Sequence, residues 1–203
     1  MLLVGLTGAI GSGKTTVARL LGDRGAIVFD ADELAHRAID PGTPANAKVV
    51  ERFGPELRAA DGSIDRQALA RRVFEDERAR RDLETIVHPE VFRLLAEELT
   101  PHRETDRVVV FDAPLIVEAG FQAAFDVLVV VTAPADVRLA RIGSSGRMTE
   151  EDARARGAVQ APDEDKERVA DFVIRNDGSL QDLEAKVDRL RDELKSRARR
   201  SRR

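Results

Sequence analysis

Short apolar runs alternate along the chain with stretches in which apolar residues recur at helical spacing. The runs are rich in β-branched side chains, which is typical of strands buried on both faces of a parallel sheet. Amphipathic helices are predicted between most of them. The predicted strands are Leu2 to Leu6, Ala26 to Phe29, Val108 to Phe111, Val127 to Val131 and Phe172 to Ile174. This pattern predicts an α/β fold with three layers around a five-stranded parallel sheet, whose ligand site lies at the carboxyl ends of the strands.

Residues 35–103 are too many for a simple crossover between two strands. Their pattern is charged and helix-rich, with one predicted helix opening at Asp65 and another at His88-Pro89. We therefore expect an inserted helical subdomain. The nucleotide-binding core is predicted to comprise residues 1–34, 104–140 and 161–194.

A second irregular stretch runs from Ile142 to Arg147 and contains Gly-Ser-Ser-Gly. A polar helix is predicted after it, from Thr149 to Gln160. This combination is typical of a mobile lid, which we place at residues 141–160.

The charge distribution bears on the class of partner. The 203 residues carry a net charge of only −4, although 34% of them are charged, which argues against a protein that binds nucleic acid through overall positive charge. Six basic residues fall within 195–203, leaving 27 basic against 37 acidic elsewhere. We expect this segment to be a disordered, solvated tail, with a weak contact to nucleic acid or a membrane surface as the alternative.

The absence of cysteine excludes thiol catalysis, a disulfide framework and a zinc–thiolate site. No apolar stretch approaches the ~18 residues needed to span a bilayer, and the N-terminus enters the first predicted strand without a leader pattern. A cytoplasmic protein without a membrane partner is the expectation, and the oligomeric state stays open.

The segment between the first strand and the first helix contains a phosphate-binding motif. It reads Thr7-Gly8-Ala9-Ile10-Gly11-Ser12-Gly13-Lys14-Thr15-Thr16, which includes Gly-x-x-x-x-Gly-Lys-Thr. Its glycines let backbone amides face an anion, and the following helix presents its positive end. Lys14 would reach the β- and γ-phosphates, and the Thr15 hydroxyl would bind Mg²⁺. A nucleoside triphosphate and magnesium are therefore the expected ligands.

Three aspartates follow predicted strands. Asp30 and Asp32 come after the second strand, where a phosphotransferase needs a base or an orienting group; the alternative is that they cap the next helix. Asp112, after the third strand, is placed like a Walker B acid that orders Mg²⁺, or it accepts backbone N–H bonds. Pro114 and Leu115 could form an apolar wall for a nucleobase or a pantetheine-like chain, or simply pack.

Arginines near the lid are candidates to neutralise a transferring phosphoryl group. Arg138 and Arg141 fall on a predicted helix that leads into the lid, and Arg147 falls within it. His88 is equally consistent with a substrate contact and a structural hydrogen bond. After the last strand, Asn176 and Gly178 are placed to meet an adenine ring through backbone groups, or they form a plain turn.

Taken together, these motifs resemble the dephospho-CoA kinase family. The resemblance spans nearly the whole chain, and the signatures in the helical insert narrow it beyond phosphate-loop kinases in general. It is carried by Gly5 to Thr16, Asp30 to Asp32, Asp61 to Arg66, Val73-Phe74, His88-Pro89, Pro114-Leu115 with Glu118, Gln160, Ala170-Asp171 and Ile174 to Gly178.

The resemblance implies a P-loop kinase core with a helical coenzyme A domain and a lid. It also implies transfer of the ATP γ-phosphate to the ribose 3′-hydroxyl of dephospho-CoA. Asp32 matches the family's general base, and Lys14 and Arg141 match its charge-stabilising residues. The ATP-binding residues are then Gly11, Ser12, Gly13, Lys14, Thr15, Thr16, Asn176 and Gly178. The substrate-binding residues are Asp32, His88, Pro114, Leu115 and Arg147, and the metal-binding residues are Thr15 and Asp112.

Two positions depart from the family's pattern in the lid. The family usually has a second arginine four residues after the first, where this chain has Ser145, and Arg147 is the candidate replacement. Gly157 stands where an aliphatic residue often follows Arg156.

Two other functions fit the phosphate loop. One is another nucleoside monophosphate or small-molecule kinase, against which the long helical insert argues. The other is a non-catalytic nucleotide switch; a GTP switch would need Asn-Lys-x-Asp and a strand-following Asp-x-x-Gly, and we find neither.

Overall fold

The computed structural model describes residues 1–145 and 157–200 and contains a five-stranded parallel sheet. The strand order is β2-β3-β1-β4-β5. The strands are β1 (Leu2–Gly8), β2 (Ile27–Asp30), β3 (Val108–Asp112), β4 (Val127–Thr132) and β5 (Phe172–Arg175). The predicted strands are confirmed to within two residues at each end. The expected burial on both faces is wrong for β2 and β5, which are partly exposed because each pairs on one side only.

The central position of β1 determines where the phosphate-binding motif lies. On one side β1 pairs with β3, with Leu2 beside Val108 and Leu6 beside Asp112. On the other side it pairs with β4, with Gly8 beside Val131. The loop that leaves β1 therefore starts at the carboxyl edge of the sheet, next to the end of β3.

Eight α-helices lie within the described residues. Their bounds are α1 (Lys14–Asp23), α2 (Ala31–Ala38), α3 (Pro44–Phe53), α4 (Arg66–Glu75), α5 (Glu77–Leu99), α6 (Ala135–Ser145), α7 (Asp163–Val169) and α8 (Leu180–Arg200). Short 3-10 turns occur at Pro55–Leu57, Thr100–His102 and Gln122–Ala124.

The chain divides into two compact units, and the first contains Met1–Phe29 and His102–Arg203. Its core lies between the sheet and helices α1 and α8. Both helices bury residues spaced three or four apart, such as Val17 and Leu21 on α1 and Leu190 and Leu194 on α8, which places those side chains on one face. The loop with the phosphate-binding motif thus joins β1 and α1, which both belong to this core.

The second unit is Asp30–Pro101 and contains α2 to α5. The long helix α5 packs against α2, α3 and α4. Asp65 caps α4 by accepting from the N–H groups of Gln67 and Ala68, so this predicted helix start is confirmed. The predicted insert, residues 35–103, overlaps most of this unit.

The prediction that His88-Pro89 opens a helix is wrong, because both residues lie inside α5. The helix begins after Asp76, whose side chain accepts from the Arg78 N–H. An interior proline removes one backbone hydrogen bond and costs about 3 kcal/mol. Val87 and Val91, which flank the proline, are buried, and we attribute the continuity of the helix to this packing.

The expected disorder of residues 195–203 is also wrong for residues 195–200, which continue α8. Leu194 and Ala198 are buried at positions that follow the apolar spacing of the rest of the helix. The basic composition of residues 195–203 suggested solvation, although Ala198 is apolar and buried. The described helices contain none that is long and apolar enough to cross a membrane.

Candidate functional site

The loop between β1 and α1 has a backbone that only glycine accommodates at two positions. Gly11 and Gly13 adopt φ values of 77° and 93°, in the left-handed region. A Cβ on Gly13 would lie 2.2 Å from Nδ2 of Asn176, and one on Gly11 would lie 2.9 Å from the Arg138 carbonyl oxygen. The glycines of the motif therefore serve both the turn and the close approach of neighbouring elements.

Lys14, the first residue of α1, contacts the end of the neighbouring strand. Its Nζ donates a hydrogen bond to Oδ1 of Asp112, with which it forms an ion pair. Asp112 is buried, and the register that sets Leu6 beside it brings it next to the loop. The structure thus brings together two predicted site residues that are 98 positions apart in the chain.

Arg141 and Asn176 hold the loop from the other side. Nδ2 of Asn176 donates to the Ser12 carbonyl oxygen at 2.8 Å. Arg141 donates to the Asn176 backbone and side-chain oxygens, at 3.1 and 3.3 Å, and to the Ser12 carbonyl oxygen at 3.4 Å. Arg141 therefore lies beside the loop, and Asn176 uses its side chain to hold the loop's backbone.

We expect Asn176→Ala to destabilise the protein and weaken ATP binding together. The variant leaves the buried Ser12 carbonyl without this donor, at a cost of about 1–3 kcal/mol. Urea denaturation gives the free energy of unfolding, and steady-state kinetics give the KM for ATP. Asp177→Ala, which removes the exposed neighbour that pairs with Lys186, is the matched control. Equal behaviour of the two variants would contradict the assignment.

Gln160 makes a second connection to the loop, which the sequence did not predict. Its Oε1 accepts from the Ile10 N–H at 2.9 Å, and its Nε2 donates to the Pro114 carbonyl oxygen at 3.4 Å. From the sequence, Gln160 contributes to the family resemblance but has no assigned role. In the structure it joins the loop between β1 and α1 to the turn after β3.

Next to Gln160 lies a buried ion pair that the sequence analysis also missed. Oε1 of Glu118 accepts from the Ala161 N–H at 2.8 Å and lies 2.9 Å from Nζ of Lys166. The Lys166 side chain is 0% exposed, and that of Glu118 is 14% exposed. Glu118 thus holds both the backbone next to Gln160 and the middle of α7.

Breaking this pair from either side should be costly. Lys166→Met leaves the Glu118 carboxylate without its cation, and Glu118→Gln leaves the buried ammonium without its counter-charge, each at about 3–5 kcal/mol of unfolding free energy. The double variant should recover part of that loss because no uncompensated charge remains. Urea denaturation of the four proteins gives the coupling energy. Simple addition of the two single losses would contradict a coupled pair.

In the second unit, the two aspartates at the end of β2 and just after it have different surroundings. Asp30 is the N-cap of α2, and its Oδ1 accepts from the Asp32 and Glu33 N–H groups at 2.7 and 3.4 Å. Asp32 lies on the exposed first turn. Within the part of the chain that the structure describes, its carboxylate accepts no hydrogen bond and pairs with no cation. Asp30 is thus the capping residue, and Asp32 has a carboxylate available for chemistry.

The remaining predicted residues are placed as follows. Pro114 and Leu115 are half-buried in the turn after β3, and Gly178 is exposed after β5. His88 is half-buried on α5, where burial lowers its pKa and the charge of Glu84 acts in the opposite direction. Arg147 lies outside the described residues, as does most of the predicted lid. Arg138 pairs with Asp163 at 3.1 Å.

Thr15 and Asp112 have the right chemistry for a magnesium ion that is shared with phosphate. Both offer hard oxygen ligands, and Mg²⁺ is commonly held by one or two protein oxygens, with waters and substrate phosphates completing its shell. Among the described residues, no group of three or more His, Cys, Asp or Glu side chains could hold a metal on its own. The donor set therefore fits an ion that arrives with a nucleotide.

Three comparisons with known proteins bear on this site. The family model described as Dephospho-CoA kinase matches residues 2–182. A dephospho-CoA kinase of Thermobifida fusca is 42% identical over 197 residues, covering 97% of this chain and 98% of its own length.

Solved structures agree with this. A Thermus thermophilus protein is 39% identical with a TM-score of 0.80, and the match covers 95% of this chain and 97% of that one. The dephospho-CoA kinase of Campylobacter jejuni is 26% identical with a TM-score of 0.72, covering 96% and 97%. The similarity thus extends over both compact units.

Proposed function

The chain belongs to the dephospho-CoA kinase family, and we propose that the loop from Gly8 to Thr15, together with Asp112, Arg141 and Asp32, carries out that family's reaction here. The protein is a kinase that uses ATP to phosphorylate dephospho-CoA in coenzyme A biosynthesis. In our proposal, the γ-phosphate is transferred to the ribose 3′-hydroxyl of dephospho-CoA.

The observation that carries the proposal is the convergence of Lys14, Asp112 and Arg141 on one loop at the carboxyl edge of the sheet. In our proposal, the loop amides and the N-terminus of α1 bind the β- and γ-phosphates of ATP. The Lys14 ammonium moves from Asp112 to the phosphate oxygens, and Arg141 adds charge from the opposite side of the loop. Asn176 and Gly178 border the adenine.

On the acceptor side, we assign Asp32 as the general base. This assignment is supported by its position in the chain just after β2, by its unengaged carboxylate and by the family resemblance. As the 3′-oxygen forms its bond to the γ-phosphorus, its proton passes to the Asp32 carboxylate. The bond between the γ-phosphorus and the bridging oxygen breaks, and its electrons leave with ADP.

Thr15 and Asp112 would hold Mg²⁺ in this scheme. When bound, the ion would neutralise charge on the β- and γ-phosphate oxygens. The Asp112 carboxylate, which pairs with the Lys14 ammonium in this structure, would then be available to hold the ion. His88, Pro114, Leu115 and Arg147 remain our candidates for contacts to dephospho-CoA, with the insert as its binding subdomain and residues 141–160 as the lid.

A coupled ADP-release assay with Mg-ATP and dephospho-CoA tests the proposal, run beside adenosine, AMP, shikimate and gluconate. Mass spectrometry of the product should show one added phosphate on dephospho-CoA and on none of the other acceptors. Turnover of a different acceptor would retain a P-loop kinase and overturn the assigned substrate. Nucleotide binding without turnover of any acceptor would favour a switch.

A further inference from the structure

A basic pocket lies at the amino ends of the strands, whereas the loop between β1 and α1 lies at their carboxyl ends. It has a volume of about 260 Å³ and opens beside the starts of β2 and β3. Five cationic side chains and one carboxylate contribute to its wall: Arg24, Arg107, Arg191, Lys195, Arg199 and Asp106. Such a concentration of positive charge is unexpected in a chain whose net charge is −4.

The cations come from three separate parts of the first unit. Arg24 lies in the turn after α1, and Arg107 immediately precedes β3. The other three lie on α8 at positions 191, 195 and 199, a spacing of four that places them along one helix face. Like charges spaced by four destabilise a helix, so helix stability alone does not account for this row.

Several of these charges have no carboxylate partner in the part of the chain that the structure describes. Within residues 1–145 and 157–200, no carboxylate pairs with Arg107, Lys195 or Arg199. Arg24 pairs with Asp188 at 2.6 Å and Arg191 with Asp192 at 2.9 Å. The Nε of Arg191 is buried and donates no hydrogen bond to the described atoms. The pocket thus holds unneutralised charge and an unused N–H donor.

We propose that this pocket binds a small anion that carries phosphate groups. Guanidinium groups match phosphate oxygens in geometry as well as charge, and bidentate pairs of this kind are among the stronger hydrogen bonds in proteins. The cavity is smaller than the roughly 300–1,000 Å³ typical of pockets that enclose a drug-sized ligand. A concave site of this size favours a compact anion over a nucleic acid, which would need a continuous basic track.

The pocket is separate from the kinase site. Along β3 alone, Val108 at the pocket and Asp112 at the loop are about 13 Å apart at 3.3 Å per residue. The proposal therefore adds a second phosphate-binding position to the one that uses ATP, and it does not depend on which acceptor the enzyme phosphorylates.

Titration of the whole protein with inorganic pyrophosphate, followed by amide-resolved NMR, tests the proposal. The two positions report through different backbone groups: the amides of Gly25 and Val108 for the pocket, and those of Gly11 and Gly13 for the loop. We expect the pocket amides to shift and saturate in the wild type. In Arg107→Gln/Lys195→Gln/Arg199→Gln, saturation at the pocket should require at least about tenfold more pyrophosphate. The response of the loop amides and the turnover of dephospho-CoA should match those of the wild type.

The matched control removes three exposed arginines outside the pocket, in Arg19→Gln/Arg168→Gln/Arg189→Gln, and should bind like the wild type. Arg107→Gln alone replaces the triple variant if that protein does not fold. Pocket amides that do not shift, or shift without saturating, would overturn the proposal. So would an equal loss in the control. Binding of a DNA duplex or of anionic lipid vesicles at this surface, without saturable binding of pyrophosphate, would overturn it in favour of a macromolecular partner.

Discussion

Lys14→Ala should lower kcat and raise the KM for ATP, so that kcat/KM falls by about 10²–10³. The ammonium begins in an ion pair with Asp112 and lies at the first turn of α1, from which it can reach the phosphates that the loop binds. Its charge would be used in the ground state and more strongly in the transition state, where negative charge spreads over the transferring group. Steady-state kinetics with varied ATP, together with direct measurement of ATP affinity, separate the two contributions.

Arg19→Ala is the control for this experiment because it removes from the same helix one exposed cation, whose partner among the described residues is Asp23. Its kinetics should match the wild type. Kinetics of Lys14→Ala that equal those of this control would mean that the loop does not bind the reacting phosphates. Loss of ATP affinity with unchanged kcat would restrict Lys14 to binding.

The features most accessible from the sequence are those encoded within short segments. A buried run, a glycine-rich turn and a helix follow one another between Leu2 and Asp23, so local pattern alone predicts both the loop and its position after a strand. The approach of Asp112 to this loop also follows from the sequence, because parallel strands end at a common edge. Local spacing and sheet topology together thus predict that Asp112 lies at the same end of the sheet as the loop, whereas its ion pair with Lys14 was not predicted.

The contacts that hold the loop in place could not be predicted in the same way. Gln160 reaches Ile10 across 150 positions of the chain, and Asn176 reaches Ser12 across 164. Nothing in the local pattern around either residue distinguishes a buried amide with a specific acceptor from an exposed one. For Lys166, the surrounding charged residues predict a solvated helix, and only the fold places its side chain beside Glu118.

The errors arose where packing outweighed a local signal. Pro89 is a strong indicator of a helix start, yet α5 continues through it between buried valines. At the C-terminus, the basic composition suggested solvation, while Ala198 continues the buried face of α8. In both places the deciding contribution came from side chains on other elements.

Asp32→Asn should lower kcat by about 10²–10⁴, the range attributed to general base catalysis, while the KM for ATP stays near that of the wild type. The change preserves the size and polarity of the side chain but removes its ability to accept a proton at neutral pH. No described residue relies on the Asp32 carboxylate for a hydrogen bond or an ion pair, so stability should not change. Measurement of kcat across a range of pH, with thermal unfolding in parallel, isolates the chemical role.

Two neighbours make this experiment decisive. Glu33→Gln removes an exposed carboxylate from the same turn of α2 and should leave kcat unchanged. Asp30→Ala removes the cap and should cost about 0.5–2 kcal/mol of stability. Because the cap orients the turn that carries Asp32, kcat should also fall, but less than in Asp32→Asn. A kcat for Asp32→Asn close to that of Glu33→Gln would exclude Asp32 as the base. A loss no larger than that of Asp30→Ala, accompanied by lower stability, would make its role structural.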